Sequence, residues 1–124
     1  MIIAVDFDGV LCTNEFPDIG KPNYEIISLI RQLLDRGDEV ILWTTRVNDR
    51  LTEAVDWCGD RGLHFTNVNG PSENNIAEYK TDPRKIFADV YIDDRDIRFA
   101  NLSQPEIASI IKYDLRRLVN GKQR

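Results

Sequence analysis

The chain contains no apolar run close to the roughly 20 residues needed to cross a bilayer, and its opening, Met1 to Val5, carries no positive charge before Asp6. Neither a signal peptide nor a membrane anchor is therefore expected, and a cytoplasmic protein is predicted. Cysteine is scarce: Cys12 and Cys58 are too few to staple a secreted scaffold, so both are expected as reduced thiols. Basic residues are outnumbered, 16 Lys and Arg against 21 Asp and Glu, for a net charge of −5. That balance excludes an extended nucleic-acid-binding surface. There is no internal repeat, linker or low-complexity tract, and 124 residues are too few for two ordinary domains. A single domain over residues 1–124 is expected. With 42% hydrophobic and 30% charged residues, the composition is that of a folded globular chain.

The apolar residues fall into alternating patterns. Ile2 to Val5 is a short, continuous, β-branched run ending at Asp6, which predicts a strand buried on both faces. Ile26, Ile27, Ile30, Leu33 and Leu34 recur at helical spacing between Tyr24 and Arg36, and Gly37 follows as a stop signal. Val40 to Trp43 predicts a second strand and Leu51 to Asp60 a second helix closed by Gly62. Leu63 to Phe65 suggests a short third strand, and the Asn, Gly, Pro and Ser residues of Asn67 to Asn75 a loop. Ala88 to Ile92 predicts another strand. A final helix is expected from Pro105 to Val119, with the proline suited to its first turn. Alternating strands and helices imply an α/β fold: a three-layer, Rossmann-like arrangement of a mainly parallel sheet flanked by helices. Ligands of such sheets bind beyond the carboxyl ends of the strands, so those residues come first for function.

They form an unusual set. Asp6-Phe7-Asp8-Gly9-Val10 follows the first strand, Thr44-Thr45-Arg46 the second, and Asp93-Asp94 the last, with Lys85 shortly before it. Two unit charges about 4 Å apart repel by roughly 4 kcal/mol at an effective dielectric near 20, so four gathered carboxylates require a cation. A hard divalent ion with oxygen ligands, Mg²⁺ in particular, suits Asp6, Asp8, Asp93 and Asp94. Removing these four charges from −5 leaves −1, so the acidity of the chain is largely that of the proposed site. Asp6 and Asp8 share a direction in an extended chain, with Phe7 opposed. One carboxylate can attack phosphorus, and the other can protonate the leaving oxygen and later deprotonate water. Gly9 lets backbone approach a phosphate, while Thr44 and Lys85 offer a hydrogen bond and a positive charge to its oxygens. Thr45 and Arg46 are further candidates for substrate binding.

These residues resemble the four motifs of the haloacid dehalogenase (HAD) superfamily of phosphohydrolases, in family order from Ile2 to Arg95. The resemblance implies a phosphatase in which Asp6 is the nucleophile and Asp8 the acid/base. Its metal ligands would be Asp6, Asp93 and the main-chain carbonyl of Asp8. It also favours Lys85 over the nearby Lys80. Too few residues separate the motifs for a cap domain, and the resemblance links such an open site to large substrates or to a homo-oligomer whose neighbouring subunit covers it; the phosphorylated partner itself is left as a small molecule or a macromolecule. Thr13 to Pro22 and Asn67 to Asn75 are the expected rim.

Plainer readings stand beside these. Thr44 or Thr45 suits a helix cap, Arg46 and Arg95 suit ion pairs with neighbouring acids, and His64 suits a structural or surface role. Trp43 and Trp57 are expected in the core, and Lys112, Arg116, Arg117, Lys122 and Arg124 as a solvated helix end and tail. A signalling receiver domain gathers similar groups, but there the acidic pair precedes the phosphate-accepting Asp. A HAD-like protein that binds phosphate or metal with little turnover is the principal alternative.

Overall fold

A computed structural model describes residues 1–70 and 86–121. The described elements are β1 (Ile2–Val5), β2 (Cys12–Glu15), β3 (Asp18–Pro22), α1 (Tyr24–Asp35), β4 (Glu39–Leu42), α2 (Asn48–Gly59), β5 (Asn67–Val68), β6 (Val90–Ile92) and α3 (Gln104–Asn120). A 3₁₀ turn spans Ile97–Phe99. Four strands form a parallel sheet in the order β5-β4-β1-β6, and β2 and β3 pair separately as an antiparallel hairpin. The fold is thus mixed α/β around a parallel sheet.

Alternate residues of the central strands face opposite ways. Ile3, Val5, Val40 and Leu42 share a core with Ile26, Ile30 and Leu33 of α1, Ala54 and Cys58 of α2, and Ile107, Ile111 and Leu115 of α3. Ala4 and Ile41 belong to a second cluster with Ile86 and Ala88. Burial on both faces explains the unbroken apolar runs of β1 and β4.

The helices end as glycine placement predicts. Asp38 N–H donates to the Leu33 carbonyl and Gly37 N–H to that of Leu34, with Gly37 at φ 98°; this is a Schellman ending. Leu63 and Gly62 repeat it on the Cys58 and Gly59 carbonyls, with Gly62 at φ 80°. At α3, Ser103 and Glu106 form a capping box ahead of the buried stripe. Glu25 on α1 meets Lys112 and Arg116 of α3, so these two cations tie the helices together.

Two expectations need correction. Leu63 to Phe65 is not a strand: Leu63 is 1% exposed and Phe65 packs on the same core. The strand lies just beyond, where Thr66 N–H donates to the Val40 carbonyl and Asn69 N–H to that of Leu42. The segment Thr13 to Pro22 is not an irregular loop but most of the β2–β3 hairpin. Cys12 and Cys58 are both buried thiols, pushed by burial up to about 11 and about 12.

Candidate functional site

Strand register builds the site. Val5 lies opposite Leu42 on one side and Ile92 on the other, and Leu42 lies opposite Val68. The first residues past these strands, Asp6, Trp43, Asp93 and Asn69, therefore emerge abreast. Hydrogen bonds continue the ladder: Asp6 N–H to the Ile92 carbonyl at 2.9 Å, Trp43 N–H to that of Val5 at 2.8 Å.

Asp6, Asp93 and Asp94 each bring a carboxylate oxygen within 4.8 Å of the others. Burial, then the charges of Asp93 and Asp94, push the Asp6 carboxyl up to about 8. Asp94 is also raised, by burial first. The nearness of the Asp94 carboxyl adds to the rise of Asp6. These three carboxylates could hold a metal ion, and their oxygens suit a hard cation. Gly9 makes the approach possible. Its φ is +86°, and a Cβ there would lie 2.1 Å from Asp94 Oδ2. The missing side chain thus clears space for Asp94.

Asp8 turns elsewhere. The Arg46 guanidinium donates from Nε to Asp8 Oδ2 and from Nη2 to Asp8 Oδ1, both at 2.8 Å. It also donates to the carbonyls of Pro17 at 3.1 Å and Asp18 at 2.9 Å, at the hairpin tip. Arg46 is 1% exposed, and the Asp8 carboxylate raises its pKa further. It lies beneath the site and does not line the pocket, as a substrate ligand must. The charge pairing anticipated as its plainer role is the one observed.

A cavity of about 540 Å³ opens over this cluster, lined by Asp6, Asp8, Asn14, Phe16, Trp43, Thr44, Thr45, Asp93, Asp94 and Arg95. Thr44 does not cap α2, whose N-cap is Val47. Its Oγ1 accepts the Arg46 N–H at 3.1 Å, and its own N–H donates to Asn69 Oδ1 at 2.7 Å. Asn69, at φ 52°, escaped sequence reasoning; the Asn-Gly pair at positions 69 and 70 was the available signal, since asparagine tolerates left-handed backbone. Thr45 and Arg95 are exposed at the rim, His64 is exposed away from it, and Trp43 is only half-buried. Lys80 and Lys85 lie outside the described residues. The chain following Lys85 is fixed: Ile86 is buried, and its carbonyl accepts the Tyr91 hydroxyl.

Among the described residues no helix is long and apolar enough to cross a membrane. No family model and no curated protein matches the chain. A solved structure of a conserved protein from Bacteroides thetaiotaomicron is similar, with 33% identity, a TM-score of 0.72, and coverage of 92% of this chain and 91% of that one. The fold and site define a parallel α/β protein with an acidic cluster at its strand ends. The chain belongs to the family of that Bacteroides protein.

Proposed function

We propose that the protein is a Mg²⁺-dependent phosphohydrolase of the haloacid dehalogenase type, three-layered and without a cap, that cleaves phosphate monoesters through Asp6. The observation that carries this reading is the meeting of Asp6, Asp93 and Asp94 in one pocket with Asp8 and Thr44. An Asp6 carboxylate oxygen attacks phosphorus, the ester P–O bond breaks, and the leaving oxygen takes a proton from the protonated Asp8 carboxyl. Water then attacks the acyl phosphate, Asp8 takes its proton, and phosphate departs with Asp6 restored. The Thr44 hydroxyl already accepts from Arg46 N–H, which leaves its own proton for a phosphoryl oxygen. Mg²⁺ held by Asp6, Asp93 and the Asp8 carbonyl, with Asp94 beside it, would keep Asp6 ionised and offset the charge of the phosphate. The resemblance assigns a second positive charge to Lys85.

A second reading, binding with little turnover, draws on the Arg46–Asp8 pair. Both Asp8 carboxylate oxygens already accept hydrogen bonds from the guanidinium, which holds the side chain on Arg46. Phosphate release from an aryl phosphate with Mg²⁺ separates the two. Many turnovers, lost in Asp6→Asn, are expected. A single equivalent of phosphate or none supports the binding protein, and full activity in Asp6→Asn overturns the nucleophile.

A further inference from the structure

We infer that the pocket over Asp6 contains a subsite for a planar aromatic ring, so that the substrate is a phosphate monoester carrying such a ring. This rests on the phosphohydrolase reading and narrows it. Transfer of a phosphoryl group needs carboxylates, a hydroxyl and positive charge; it has no use for aromatic side chains. Yet Phe16 and Trp43 line the same cavity as Asp6.

Phe16 sits between β2 and β3 and is 59% exposed while lining this cavity. It is nevertheless held in place. The Arg46 guanidinium carbon lies 5.1 Å from the Phe7 ring centroid and 5.2 Å from that of Phe16, a spacing suited to cation–π contact. Arg46 is itself fixed by hydrogen bonds to Asp8, Pro17 and Asp18. The main chain adds to this, with Phe16 N–H donating to Asn14 Oδ1 at 3.3 Å. Phe16 is thus supported from beneath and exposed above, a pre-positioned stacking surface. Trp43 is anchored against Ala4, Ile41, Ile86 and Ala88 and is only half-buried. Asn14, Thr45 and Arg95 complete the wall with polar groups. Two aromatic rings stand among eight polar or charged residues around about 540 Å³, room for a small planar group beside a phosphate. Planar rings gain by stacking in such a place.

The ring could belong to a nucleoside monophosphate or to a simpler aromatic phosphate. The test uses the full chain with Mg²⁺ and three esters of primary alcohols, so that leaving-group chemistry is matched: adenosine 5′-monophosphate, benzyl phosphate and ribose 5-phosphate. We expect kcat/KM for at least one ring-bearing ester to exceed that for ribose 5-phosphate by about tenfold or more. Phe16→Ala and Phe16→Leu should reduce that ratio about tenfold, mainly through KM, the size expected for one lost stack. Adenosine monophosphate ranking first places the ring a sugar's length from phosphorus; benzyl phosphate ranking first places it adjacent. Ribose 5-phosphate turned over equally well, or a ratio unmoved by both variants, overturns the subsite while leaving the phosphohydrolase standing. Failure to hydrolyse all three and the aryl phosphate as well overturns the phosphohydrolase. Calorimetric binding of adenosine monophosphate over ribose 5-phosphate, weakened in Phe16→Ala, then still supports the subsite, and equal binding refutes it.

Discussion

Replacing Asp6 with Asn should stabilise the protein in the presence of chelator, while removing its proposed nucleophile. The Asp6 carboxyl rises from 3.8 to about 8 because it is buried and faces Asp93 and Asp94. Each tenfold change in proton affinity is worth about 1.4 kcal/mol, which sets a ceiling of about 6 kcal/mol. Water entering the open pocket screens these charges, which leaves about 2 kcal/mol. The sign follows from linkage. Between about pH 4 and pH 8 the folded chain keeps a proton on Asp6 that the unfolded chain has released, so stability falls as pH rises through that window. Asn carries no charge, and its Oδ1 can still accept the Phe7 N–H that Asp6 accepts at 2.8 Å. Urea unfolding with chelator should therefore show Asp6→Asn ahead by about 2 kcal/mol at pH 8 and by much less at pH 5. Adding Mg²⁺ should raise the wild type, by about 2.7 kcal/mol at a hundredfold excess over Kd, and the variant far less. An Asp6→Asn midpoint at pH 8 no higher than that of the wild type would refute the crowding of charge on which the site is built.

Arg46→Met should cost about 3–5 kcal/mol in urea unfolding, because it strands the Asp8 carboxylate and the Pro17 and Asp18 carbonyls. Adding Asp8→Asn should recover part of that loss; strictly additive losses would show the pair to be uncoupled. Gly9→Ala should weaken Mg²⁺ binding at least tenfold by calorimetry, since its Cβ meets Asp94 Oδ2 at 2.1 Å. Gly37→Ala is the control: its φ is +98° with nothing within 4 Å, so it should lose about 1–2 kcal/mol of stability with Mg²⁺ affinity unchanged. Equal effects on affinity would remove the Gly9–Asp94 clearance as the cause.

Strands and helices whose burial follows a simple period were readable from the chain. β1 occupies Ile2–Val5 and α1 Tyr24–Asp35 because apolar spacing alone sets their buried faces. The β2–β3 hairpin was not readable, since Thr13 to Pro22 offers neither alternation nor a two-residue glycine turn. β5 escaped for a related reason: at the sheet edge its pairing is carried by Thr66, Asn67 and Asn69, while the apolar Leu63 and Phe65 serve the core. Within the site, chain order suggested that Asp6, Asp93 and Asp94 converge, because all three follow strands. That Arg46 pairs with an acid was anticipated, but that the acid is Asp8, 38 positions away, is not something local pattern can reveal. Asn69 acts only through its contact with Thr44.

One guanidinium clamps together three stretches of chain: the turn after β1, the segment leading into α2, and the hairpin tip. Any lineage that reshapes the tip to accept a different molecule must still present two main-chain oxygens to Arg46, or else unseat the acid two residues from the proposed nucleophile. On the proposed reading, selectivity and reactivity are mechanically yoked, and exchanging the tip as a whole unit is the practical route to retargeting this scaffold.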